Sequence, residues 1–114
     1  MQLSINQTDQ GALVIDVQET RLDAAVALSF KDAIRNAAER DGSPVILGLS
    51  RVEFMDSSGL GAIVGVMKLL GSDRPLELAE LTPGVKKVFR LTRMDTVFRI
   101  HDSLPATRAL SEAG

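Results

Sequence analysis

Val45-Ile46-Leu47-Gly48-Leu49-Ser50-Arg51-Val52-Glu53-Phe54-Met55-Asp56-Ser57-Ser58-Gly59-Leu60-Gly61-Ala62-Ile63-Val64-Gly65-Val66-Met67 is the stretch that decides the fold of this chain. Val45 to Leu49 is apolar without alternation, as expected for a strand covered on both faces. The chain then turns on small polar residues, and a second apolar run follows with helical spacing. A strand that ends in a short loop and passes into a helix is the repeating half of an α/β sheet. The loop sets Asp56, Ser57 and Ser58 at a helix N-terminus, where N–H groups and the helix dipole favour negative charge. A serine there either caps the helix or accepts a phosphate and acts as a switch. Asp56 is itself a good cap, which leaves Ser58 open to the second role. Composition and spacing do not separate the Ser57 and Ser58 hydroxyls.

Working outward, Leu3 and Ile5 alternate with polar neighbours and predict a short edge strand. Gln10-Gly11 signals a turn, and Ala12 to Val17 reads as a second strand, so the two form a hairpin. Asp23 can cap the next helix, whose apolar face is Ala27, Phe30, Ile34, Ala37 and Ala38. Asp41-Gly42-Ser43-Pro44 ends it. The helix after the serines runs from about Ser57 to Leu70, with Leu60, Ile63, Val64 and Met67 toward the core. A loop from Gly71 to Pro75 leads to a strand from Leu76 to Leu81. Thr82-Pro83 caps a third helix that turns Val85, Val88, Phe89 and Thr92 inward. Thr96 to His101 is a last strand, and Asp102-Ser103-Leu104-Pro105 starts a terminal helix. The order ββαβαβαβα predicts an α/β fold: a mixed, mostly parallel five-stranded sheet packed with about four helices, in a single domain spanning residues 1–114.

Bulk properties narrow the function. The 114 residues suffice for one core, and 45% hydrophobic with 25% charged residues is ordinary for a soluble domain. A net charge of −2 and 4% aromatics, with no Trp or Tyr, supply neither the field nor the stacking surface for direct nucleic-acid binding. With no Cys there are no disulfides, thiolate nucleophiles or Cys-based zinc sites. No signal peptide opens the sequence and no apolar run reaches membrane-spanning length, so a cytoplasmic protein is expected, away from the membrane. His101 has no Asp-Ser or metal-ligand context and reads as structural. No catalytic residue, metal site or cofactor is expected, and hence no enzyme.

Three further features need weighing. Gly59-Leu60-Gly61 lacks both the dinucleotide fingerprint and the P-loop Gly-Lys-Ser/Thr, which leaves close approach by a partner or tight helix–strand packing. At 100° per residue, Gly61, Ala62, Gly65, Lys68 and Leu69 point away from the core face of their helix. Only Lys68 is charged, so this strip is expected to receive a partner. Lys86, Lys87, Arg90 and Arg93 share the exposed side of the third helix, either as a solvated face or to steer an acidic partner.

Asp56-Ser57-Ser58-Gly59-Leu60-Gly61 resembles the signature of anti-sigma-factor antagonists, bacterial members of the STAS domain family. Leu22-Asp23, Arg51 to Met55 and Leu81-Thr82-Pro83-Gly84-Val85 resemble further family blocks, so the similarity covers roughly residues 3–110. Thr20 stands where many members have glycine, and Gly48 where many have Asp or Asn. The resemblance implies the STAS fold and a phosphorylated serine directly before the glycine, here Ser58, with Ser57 the alternative. It implies that the unphosphorylated form binds an anti-sigma factor, usually a serine kinase, and frees a sigma factor, and that a PP2C-type phosphatase reverses the modification. The expected contact residues are Asp23, Met55, Asp56, Ser57, Ser58, Gly59, Gly61, Ala62, Gly65 and Leu69. The alternative is a STAS subunit of a lipid-transport, stress-signalling or secretion-regulating complex without sigma-factor control.

Overall fold

A computed structural model describes residues 1–39 and 43–105, and the backbone of 107–109. The hairpin forms as expected: β1 (Leu3–Thr8) pairs antiparallel with β2 (Leu13–Val17) around a turn in which Gly11 takes a φ of 91°, open to glycine at little cost. Next come β3 (Arg21–Leu22), α1 (Ala27–Ala38), β4 (Val45–Gly48), β5 (Phe54–Met55) and α2 (Ser57–Leu70). The chain continues through β6 (Leu76–Ala79), α3 (Pro83–Leu91), a 3-10 turn (Met94–Thr96), β7 (Ile100–His101) and β8 (Thr107–Ala109). Six strands form the main sheet in the order β7-β6-β4-β2-β1-β8, with β2, β4, β6 and β7 parallel. The α/β class and the mostly parallel mixed sheet agree with the sequence reading. Among the described residues there are three α-helices.

Period-two alternation divides the sheet's faces. Leu13, Ile15 and Val17 of β2, Val45 and Leu47 of β4 and Leu76 and Leu78 of β6 share one core with Phe30 and Ile34 of α1, Ile63 and Val66 of α2, and Val85 and Phe89 of α3. All three helices therefore cover one face. On the other, Val14, Ile46 and Ala79 are buried beneath Ala12 and Leu104.

Several local expectations are corrected. Asp23 does not cap α1; its Oδ1 accepts the Ala25 N–H at 3.1 Å and closes a turn just before the helix. Thr82 sits at the N-cap of α3, but its hydroxyl donates to the Val52 carbonyl at 2.6 Å. Thr92 is exposed, its hydroxyl bonded back to Val88 O. The last parallel strand is only Ile100–His101, because the 3-10 turn takes Met94–Thr96 and Phe98 is drawn inward edge-on to Phe89, ring centroids 6.0 Å apart. No helix starts at residues 102–105. That segment leaves β7 at one sheet edge, lays Leu104 over the second face, and leads to β8, which pairs antiparallel with β1 at the opposite edge. Of the stop predicted for α1, Asp41 and Gly42 lie outside the described residues.

Candidate functional site

A second, two-stranded sheet builds the site. β3 and β5 run parallel, with Arg21 beside Phe54 and Leu22 beside Met55. Alternation sends Leu22 and Met55 into the core and leaves Arg21 and Phe54 outside. The Arg21 guanidinium stacks 4.3 Å from the centre of the Phe54 ring, and its Nε reaches Asp23 Oδ2 at 3.2 Å. Phe54 is 42% exposed all the same.

β5 delivers the chain to Asp56, the N-cap of α2. Asp56 Oδ1 accepts the Ser58 N–H at 2.9 Å and the Gly59 N–H at 3.0 Å, while Oδ2 accepts the Ala24 N–H at 3.3 Å. One carboxylate thus fastens the start of α2 to the turn that precedes α1. It also occupies two of the N–H groups that a helix N-terminus would otherwise offer an anion. Ser57 and Ser58 are both exposed, and a phosphate on Ser58 would stand beside the Asp56 carboxylate with those donors already used.

Gly59 is buried, and the reason is geometric. A Cβ there would lie 2.1 Å from the carbonyl oxygen of Leu22, so only glycine lets α2 approach β3 this closely. Gly61, one residue beyond Leu60, meets nothing within 4 Å. The Gly-Leu-Gly element is thus a helix–strand packing device at its first glycine and open surface at its second.

The outer strip of α2 differs from the sequence reading. Ala62 is buried, and the core face is Gly59, Ala62, Ile63 and Val66, with Leu60, Val64 and Met67 only partly covered. The helix is apolar on both sides, and α1 packs along it as well as the sheet, so Ala62 is enclosed together with Ile63 and Val66. Gly65 is partly covered by the Lys31 side chain, whose Cε would stand 3.1 Å from an added Cβ. Gly61 and Leu69 remain exposed, Leu69 at 49%. Met55, Gly59 and Ala62 therefore lie in packing positions and offer a partner no open surface. Asp23, Asp56, Ser57, Ser58, Gly61 and Leu69 keep accessible surface. Arg21 and Phe54 join them as residues the sequence reading missed. Phe54 sits in a two-residue strand, too short for alternation to be read.

Residues 4–106 match the family model described as the STAS domain. The chain belongs to the STAS domain family. Over 102 residues it is 28% identical to the anti-sigma-B factor antagonist of Listeria monocytogenes, a match covering 88% of this chain and 90% of the relative. An anti-sigma-factor antagonist STAS domain protein from Planctomyces limnophilus superposes with a TM-score of 0.79 at 20% identity, covering 90% of this chain and 91% of that one. The Bacillus cell fate determinant SpoIIAA in its phosphorylated form superposes with a TM-score of 0.63 at 22% identity, covering 98% and 96%. These two likenesses establish the fold.

One of the departures from the STAS pattern has a structural cause. A Cβ at Gly48 would stand 2.6 Å from Asp16 Oδ1 and 3.2 Å from Leu104 Cδ1, so a side chain there requires the carboxylate of the neighbouring strand to move. Among the described residues that Oδ1 is buried without a hydrogen-bond partner, and burial, then the nearby Glu80 charge, raise the Asp16 pKa above its ordinary value. At Thr20 the backbone does the work: its carbonyl accepts the Glu53 and Phe54 N–H groups at 2.8 and 3.3 Å. His101 pairs with Glu77 at 2.6 Å, a contact between adjacent strands. Among the described residues there is no group of three or more metal-ligating side chains, and no helix long and apolar enough to cross a membrane.

Proposed function

We propose that this STAS domain is an anti-sigma factor antagonist, switched by phosphorylation of Ser58. In this reading the unphosphorylated chain binds an anti-sigma factor serine kinase through Asp23, Asp56, Ser57, Ser58, Gly61 and Leu69, with Arg21 and Phe54 alongside, and a sigma factor is released. The kinase transfers phosphate to Ser58, a PP2C-type phosphatase removes it, and the chain supplies only the acceptor.

One observation carries the reading. Ser58 presents an exposed hydroxyl at the start of a helix whose first donors are held by Asp56. A phosphate adds about −1.5 to −2 charges. With the Ser58 and Gly59 N–H groups committed and a carboxylate adjacent, the chain has few means of neutralising that charge internally. The charge is therefore carried on the contact surface, where a partner must desolvate it or repel it. A penalty of about 1.4 kcal/mol already weakens association tenfold. No refolding is needed. The antagonist name of the Listeria relative and the phosphorylated form of SpoIIAA support the assignment.

The test is calorimetric titration of the anti-sigma factor kinase from the same genome with three forms of the chain. Wild type and Ser58→Ala are expected to bind alike, and the Ser58 phosphoprotein at least tenfold more weakly. Equal affinity for wild type and phosphoprotein refutes the switch. Peptide mass spectrometry placing the phosphate only on Ser57 moves the acceptor by one residue.

A further inference from the structure

Lys86, Lys87 and Arg90 on α3 and Arg93 just beyond it are all exposed, and none has an ion-pair partner among the described residues. Two features set this face apart from an ordinary solvated one. Lys86 is the fourth residue of the nine in the helix, toward the end where the dipole disfavours cations, and no acidic residue occupies the first turn. Lys86 and Arg90 also stand one turn apart, where like charges oppose the helix. The second feature is shape. Lys86 and Arg90 line a cleft of about 250 Å³ together with Leu81, Phe89, Asp95 and Ile100. Phe89 and Leu81 are core residues, so the cleft has an apolar floor below a cationic rim. Outside it, Leu91 is 71% exposed and Val97 48%.

We infer that this cleft is a second docking surface, and that its occupant is an acidic protein segment carrying one apolar side chain. The apolar side chain fills the cleft against Leu81, Phe89 and Ile100, and flanking carboxylates meet Lys86 and Arg90. Asp95, on the cleft wall, turns the acidic side of the segment toward the two cations. Lys87 and Arg93 add attraction at longer range, which raises the rate of encounter. A recessed floor suits an inserted side chain better than a flat bilayer, and the rings on this face, Phe89 and Phe98, are buried and offer nucleic acid no stacking surface. α3 is tied to the segment leading into β5 by the Thr82–Val52 bond and by the close approach of Gly84 to Glu53 O, 3.0 Å from an added Cβ. The start of α3 thus packs on the segment that leads to Ser58, the cleft shares no residue with the Ser58 site, and the inference holds whether or not Ser58 is phosphorylated.

The probe is a synthetic peptide, Asp-Glu-Glu-Leu-Glu-Asp, titrated into the isotopically labelled full chain and followed by amide chemical shifts. Saturable shifts confined to residues 81–100 are expected, with affinity falling at least tenfold in the Lys86→Gln/Arg90→Gln variant. Replacing the peptide's leucine by serine is expected to weaken binding at least fivefold, and raising salt from about 50 to about 500 mM to weaken it strongly. Thermal melts establish that the double variant is folded; should it not be, Lys87→Gln/Arg93→Gln is expected to give a smaller loss in the same direction. Shifts located elsewhere, no saturation, or equal binding of the serine peptide overturn the proposal. So does retention on phosphatidylglycerol vesicles that the double variant abolishes while the peptide leaves the wild type unshifted, since the face would then be a membrane contact.

Discussion

Gly59 and Gly61 are two residues apart on one helix and are predicted to respond to alanine in opposite directions. At Gly59 the new Cβ would meet the Leu22 carbonyl oxygen at 2.1 Å, and real Cβ contacts are essentially never below 3.0 Å. The start of α2 must therefore withdraw from β3 by roughly 3.0 − 2.1 = 0.9 Å or more. The obstacle is backbone, so no side chain can swing aside. Withdrawal also loosens the Asp56 N–H bond to Leu22 O at 3.2 Å and the Ala24 bond to Asp56 at 3.3 Å. Overpacking of this kind costs about 1–3 kcal/mol, against a gain of up to about 1 kcal/mol from alanine's helix propensity. Because rigid groups collide and two bonds are put at risk, the net loss is placed at about 2 kcal/mol. For a chain of this size that lowers Tm by about 6–12 °C. Gly61→Ala meets nothing and is expected to gain about 0.5–1 kcal/mol, raising Tm by a few degrees. Scanning calorimetry of the two variants beside wild type decides the matter. A Gly59→Ala protein that melts at or above wild type refutes the packing argument, as does a common shift of both variants.

Asp56→Ala should destabilise by about 1–2 kcal/mol in urea unfolding, since it removes the cap of α2 and the link to Ala24 together. Asp16→Asn should raise Tm near neutral pH. With its folded pKa raised by burial and by Glu80, Asp16 contributes stability that is fully present below its unfolded pKa and is lost as pH rises through the folded one. The advantage of the variant should therefore shrink as pH falls toward the ordinary aspartate range, and a difference independent of pH would argue against it. Thr82→Val should cost about 1 kcal/mol by leaving the Val52 carbonyl without its 2.6 Å donor, and an unchanged unfolding midpoint would show that water replaces the hydroxyl.

The strands and helices that position the serines could be read from sequence because each carries its own period. Alternation marked β1, the Gln10-Gly11 turn and the apolar run after it marked β2, unbroken apolar residues marked β4, and the 3.6-residue spacing of Phe30 and Ile34 marked the inner face of α1. α2 is apolar all round, so its period could not say which side is covered; with α1 packed along it, Ala62 is buried as well. Leu104 and β8 were beyond local reading for another cause. The partner of Thr107–Ala109 is Asn6–Thr8 at the far end of the chain, and nothing in a three-residue strand announces so distant a neighbour. At the candidate site, the Asp56 cap and the exposure of both serines followed from the loop's chemistry. The burial of Met55 and Gly59 depended on β3, whose two residues leave no pattern.

The route of the chain after β7 has a consequence during synthesis. β1 is made well before β8, and its outer edge finds this partner only when residues 107–109 emerge. While about a hundred residues are added, a row of backbone donors and acceptors on β1 is open to any other strand. A nascent or proteolytically shortened chain lacking β8 would carry an otherwise complete helical face and one adhesive margin. Such a chain is expected to associate edge to edge.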